Sequence, residues 1–160
     1  MRSDLAIDLS QFLRKQTMTF SQAKEIFYKP FMELLYQAHK AHLEHFDPNI
    51  IQTSTLLSIK TGACSENCAY CAQSSHYKTG VQKAKFMDKD EILSLAKKAK
   101  QAGSSRFCMG ASGRSPSDEE LDEVCQIIHE VKELGLETCA TLGLLDANQA
   151  SKLKEAGLDF

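Results

Sequence analysis

The sequence has no uninterrupted apolar run near the about eighteen residues that a membrane-spanning helix requires, so no span of that kind is expected. It also lacks an excess of either charge. Nineteen Lys and Arg stand against 21 Asp and Glu, a formal net charge of -2, which removes any general attraction to nucleic acid or anionic lipid. The opening MRSDLAIDLS carries acids where a secretory signal has a basic and then an apolar stretch, and the chain reads as cytoplasmic. A secreted disulfide framework is missing too. Of six cysteines, Cys64, Cys68 and Cys71 crowd together, while Cys108, Cys125 and Cys139 are spread through helical and strand-like patterning. A chain of 160 residues can bury roughly 68–70% of its extended surface, so a core needs no staples.

What is present is a repeating rhythm. The first seven residues carry no clear period. From Thr19 to about His45 the pattern is helical, with Thr19 and Gln22 as a capping box and Pro30 as either a kink or the start of a second helix. Beyond Pro30, Phe31, Leu34, Leu35, Ala38, Ala41 and His42 share a face, and Asp47-Pro48-Asn49 closes the stretch. Residues 53–59 then read as a buried strand, and residues 60–80 as a long polar loop holding the clustered cysteines. Asp88 with Glu91 boxes a helix to Gln101, with Ile92, Leu95, Ala96 and Ala99 inward, stopped by Gly103. The unit recurs twice. Ser105 to Met109 is a strand, and Ser117 and Glu120 box a helix with the stripe Leu121, Val124, Cys125, Ile128 and Val131, ended by Gly135. Leu136 to Leu142 is a third strand, Asp146 and Gln149 open a third helix, and Gly157 closes it before Leu158-Asp159-Phe160 begins a fourth strand.

Strands alternating with helices of this length imply crossovers and a parallel sheet. The expected fold class is α/β: about three βα units, the N-terminal portion of a (β/α)8 TIM-type barrel, preceded by a helical arm. Residues 1–49 form the N-terminal helical extension and 50–160 the first part of the barrel domain, truncated at its C-terminus. A small three-stranded domain is the competing architecture, at the cost of an open sheet edge.

The chemistry concentrates in Cys64-x3-Cys68-x2-Cys71. Three thiolates on a short loop suit three irons of a four-iron cluster and leave the fourth iron free for another ligand. A zinc site of the same cysteines with His76 has acceptable ligand types, and uncoordinated thiols are the plainest alternative. In a barrel the loop follows the first strand, at the C-terminal rim where such enzymes work.

The cysteine spacing, with Tyr70 just before the last, resembles the signature of the radical S-adenosylmethionine superfamily. The stretch TLLSIKTGACSENCAYCAQSSHYKTG at 55–80 closely resembles the biotin synthase family within it. RFCMGA at 106–111, LETCATLG at 136–143, AGLDF at 156–160 and HFDP at 45–48 extend the likeness in order. The resemblance implies a full or partial βα barrel. It implies a [4Fe-4S] cluster on Cys64, Cys68 and Cys71, with S-adenosylmethionine chelating the open iron and cleaved to methionine and a 5′-deoxyadenosyl radical. It also implies a [2Fe-2S] cluster on Cys108 and Cys139, with a third cysteine and an arginine from later strands outside this chain. The implied reaction is radical insertion of sulfur between C6 and C9 of dethiobiotin. An external one-electron donor such as flavodoxin or ferredoxin and a homodimer go with it, and the chain alone is expected to be inactive. Another radical S-adenosylmethionine reaction and a zinc-bound Cys3His interaction domain are the alternatives.

Softer candidates surround these. Tyr70 packs over the cofactor's adenine, shields the cluster, or is a plain structural aromatic. Gly110 and Ala111 are expected just past the second strand, where the superfamily's backbone meets the methionine amino group; Gly110 reads equally as a turn glycine. Gln73, Ser74 and Ser75 suit hydrogen bonds that position the loop, and Lys60 and Arg106 suit either orienting acidic groups or solvated rim charge. Cys125 reads as core filler. His39, His42 and His45 are spaced by three, with no close i,i+4 pair, and read as surface or packing residues; His129 falls on a helix away from the rim.

Overall fold

The computed structural model describes residues 18–160; the aperiodic first seven residues lie outside them. The chain divides into two compact units, one ending at Ile51 and the other running from Gln52 to Phe160. No helix of the described residues is long and apolar enough to cross a membrane.

The first unit holds two helices, α1 (Phe20–Phe27) and α2 (Phe31–His45). Thr19 and Gln22 form the reciprocal box at the start of α1: the Thr19 hydroxyl accepts the Gln22 N–H, and the Gln22 side chain accepts the Thr19 N–H. Pro30 begins α2 rather than kinking one long helix. Its ring presets φ at -52°, and a residue at a helix start has no intrahelical N–H bond to lose. No residue of either helix is buried.

The second unit is a parallel sheet in the order β1 (Ser54–Lys60), β2 (Arg106–Ala111), β3 (Glu137–Thr141). The helices α3 (Lys89–Gln101), α4 (Asp118–Glu133) and α5 (Ala147–Glu155) follow the strands in turn. Ser117 with Glu120 and Asp146 with Gln149 close full capping boxes, each satisfying two otherwise orphaned backbone donors. At Asp88 only half the expected box forms: its carboxylate accepts the Asp90 and Glu91 N–H groups without a return bond from Glu91.

Side chains alternate across the sheet, and α3, α4 and α5 pack on one of its faces. Ile59, Phe107, Met109 and Thr138 on that face are buried against Ile92, Ala96, Leu121, Val124, Ile128 and Val131. Leu93 is buried where Leu95 was expected, and Leu95 is only partly covered. The expectation of a buried first strand needs correction. Only Ile59 of β1 is buried and Leu56 is 75% exposed, because β1 is an edge strand and Leu56 points to the face opposite α3, α4 and α5. Cys125 packs at the margin of the core, and burial pushes its thiol up, as suits an inert filler. The residues after α5 begin to extend the sheet: Phe160 donates its N–H to the Thr138 carbonyl and accepts the Ala140 N–H, at 3.1 and 3.0 Å.

Candidate metal and cofactor site

Parallel strands send all their C-terminal ends to one rim, so the segments after β1, β2 and β3 meet there. The segment after β1 is long and tied down by its own backbone. Gly62 and Ala63 both take left-handed φ angles, +71° and +54°, which turn the chain off the strand into the cysteine loop. For Ala63 that conformation is uncommon and carries a cost. Cys64 then pairs with the far limb: its N–H donates to the Gln73 carbonyl at 3.1 Å and its carbonyl accepts the Ser75 N–H at 2.8 Å. Gln73 reaches back to accept the Gly62 N–H at 2.9 Å, and the buried Ser74 hydroxyl donates to the Glu66 carbonyl at 2.6 Å. These bonds bend the loop so that its cysteines face one space. The Ser112 hydroxyl, 2.6 Å from the Gly62 carbonyl, ties the loop's base to the end of β2.

The resulting cavity, about 360 Å³, is lined by Cys64, Cys68 and Cys71 together with Glu66, Tyr70 and Gln73 of the loop. Ala111 to Arg114 after β2, and Thr141, Gly143 and Leu144 after β3, complete its wall. Tyr70 is 94% exposed, so its ring stands at the mouth rather than in the core. Three soft donors around one concavity fit an iron–sulfur group better than a hard cation. Among the described residues no three His, Cys, Asp or Glu side chains are already gathered tightly enough to hold a single metal ion. His76 does not line the cavity, and its Nε2 lies 3.0 Å from the Ser65 carbonyl.

A second pair of thiols lies on the sheet face opposite α3, α4 and α5. Cys108 and Cys139 are register partners across β2 and β3, with Leu56 next to Cys108 on β1. Burial first, then the neighbouring Cys108 thiol, push the Cys139 thiol up while Arg106 pulls the other way. Thr141, two residues on and therefore on the same face, lines the rim cavity, so the pair sits deeper along the same surface.

Other expectations resolve differently. Gly110 and Ala111 are the last residues of β2, not a turn beyond it, because the ladder continues through Ser58, Gly110 and Thr141; Ala111 alone of the two lines the cavity. Lys60 pairs with Glu120 and Arg106 with Glu137, the latter also stacking on the Phe160 ring at 3.7 Å, so both cations are engaged away from the cavity. His39, His42 and His45 lie on α2, with His42 stacked on Phe46, and exposed His129 is 3.6 Å from Glu133. The sequence reading missed Glu66 and Arg114. Their charges oppose across the cavity wall at 2.9 Å, and the one signal for them was a single acid inside the cysteine loop.

The model of the radical SAM superfamily matches residues 58–160, spanning the cysteine loop and all three strands' rim segments. The chain belongs to the radical SAM superfamily. That superfamily works with an iron–sulfur cluster, in agreement with the thiol-lined cavity. Among curated proteins, the chain is 63% identical over 142 residues to the biotin synthase of Rickettsia felis, covering 89% of this chain and 46% of that protein. It is 61% identical to that of Lawsonia intracellularis over 89% of this chain and 45% of that protein. Against that of Nitrobacter winogradskyi the identity is 52% over the whole of this chain and 48% of the relative. The chain therefore spans about half the length of the curated relatives it matches. Among solved structures, methylornithine synthase superposes with a TM-score of 0.69 at 20% identity, over 94% of this chain and 44% of that one. That likeness establishes the partial barrel fold.

Proposed function

We propose that this chain is part of an enzyme that inserts sulfur between C6 and C9 of dethiobiotin to form biotin, a reading supported by its likeness to curated biotin synthases. The observation that carries this is the pairing of Cys108 with Cys139 on the sheet face opposite α3, α4 and α5, in line with a rim cavity lined by three further thiols. Cys64, Cys68 and Cys71 hold a [4Fe-4S] cluster in this reading, and Cys108 and Cys139 contribute to a [2Fe-2S] cluster whose other ligands lie outside these residues. Held by these thiols, the four-iron group would supply the electron for reductive cleavage of S-adenosylmethionine. The chain's own residues shape that space. Gln73 and Ser74 fix the loop, Ala111 offers backbone at the end of β2, and Tyr70 screens the mouth. Dethiobiotin, S-adenosylmethionine and a one-electron donor of flavodoxin or ferredoxin type are the partners this reading requires, and a homodimer is the proposed assembly.

Anaerobic reconstitution followed by Mössbauer spectroscopy tests the reading. A four-iron signal perturbed by S-adenosylmethionine is expected, lost in Cys68→Ala and retained in Cys125→Ala. In a chain of the relatives' full length, an additional two-iron signal is expected to disappear in Cys108→Ala and Cys139→Ala. About one zinc per chain with no iron would sink the proposal.

A further inference from the structure

We infer that Arg114 is a positioning residue, a clasp that holds the cysteine loop against the segments after β2 and β3 and so sets the shape of the thiol cavity toward its ligand. The inference rests on the function proposed above. Arg114 touches all three rim segments. Its Nη1 donates to Glu66 Oε1 at 2.9 Å, and Glu66 lies between Cys64 and Cys68. Its carbonyl accepts the Leu144 N–H at 2.7 Å from the segment after β3. The approach there is backbone on backbone: a Cβ on Gly143 would lie 2.4 Å from the Arg114 oxygen.

The geometry transmits. Glu66 is held by its carboxylate to Arg114 and by its carbonyl to the buried Ser74 hydroxyl. A shift of its peptide therefore moves the stretch between the first two thiols. Glu66 is also the sole acid between residues 61 and 87, so within that loop the guanidinium has no second carboxylate to turn to. Arg114, Glu66, Gly143 and Leu144 line the same cavity as the cysteines. An exposed ion pair adds little to global stability, so the consequence falls on local order rather than on folding.

The test has two arms. In the metal-free chain, amide exchange at Cys64 and Ser75 is expected to quicken about fivefold in Arg114→Gln, with the unfolding midpoint unchanged. Glu66→Gln is expected to do the same, the double variant no more, and Arg114→Lys to recover most of the protection. In the reconstituted protein, Arg114→Gln is expected to keep its iron but to need severalfold more S-adenosylmethionine to perturb the cluster spectrum. Exchange within twofold of the parent, additive effects in the double variant, or loss of iron from Arg114→Gln each overturn the clasp. A parent spectrum indifferent to S-adenosylmethionine overturns the proposed function instead, and the exchange arm still decides the clasp.

Discussion

The Asp159 carboxylate accepts the Thr138 N–H at 2.8 Å and both a Lys132 ammonium contact and the Thr138 hydroxyl, standing where strand pairing beyond β3 begins. Partial burial pushes this carboxyl up, but the Lys132 and Thr138 donors together outweigh it and hold it below its ordinary value. A lowered folded value means that the stabilisation is fully present above the unfolded value of about 3.9 and is lost as pH falls through the folded one. Asp159→Asn should therefore cost about 1 kcal/mol near neutral pH and flatten the loss of stability in acid. Denaturant titrations at neutral pH and near pH 3 check this; an equal cost at both would refute it. Gly143 is the second sensitive residue. With φ at +83° and the Arg114 carbonyl in the way, Gly143→Ala should lose more than about 2 kcal/mol in thermal or denaturant unfolding. At this scale the cysteines were legible because their spacing is local. The Glu66–Arg114 pair was not: its members are 48 positions apart and meet only where two rim loops meet.

Elements were legible where the backbone's own needs write the sequence. The boxes at Thr19, Ser117 and Asp146 and the turns at Gly103, Gly135 and Gly157 mark helix ends because orphaned N–H groups and a left-handed exit demand particular residues. Ser117→Ala should cost about 1 kcal/mol of unfolding free energy; Glu120 keeps its bond to Lys60 and limits the loss. Which face of a strand is covered was harder to see. TSTLLSI reads as buried from composition, yet Leu56 faces out and Ile59 in, a matter of which side the helices occupy. Phe107, wholly buried at the centre of the sheet, makes that layering measurable. Phe107→Ala should cost about 3–5 kcal/mol, against little for Leu56→Ala, in equilibrium unfolding.

For the molecule as a whole, the periodicity announced a parallel sheet of βα units, and three such strands with one covered face are what forms. The face opposite α3, α4 and α5 carries Cys108 and Cys139 beside exposed Leu56, and the chain spans about half the length of its curated relatives. Iron uptake without conversion of dethiobiotin is accordingly expected of this chain alone; an assay with reduced flavodoxin and S-adenosylmethionine that yields biotin would refute it. The cysteine loop also has a kinetic side. It lies between β1 and β2, so partners across that pairing, such as Leu56 and Cys108, are 52 positions apart, against 31 for Cys108 and Cys139 across β2 and β3. Closing the longer span sacrifices more chain entropy. The strands bearing Cys108 and Cys139 should thus zip together early, leaving β1 and its trailing thiols to arrive last onto a template already in place.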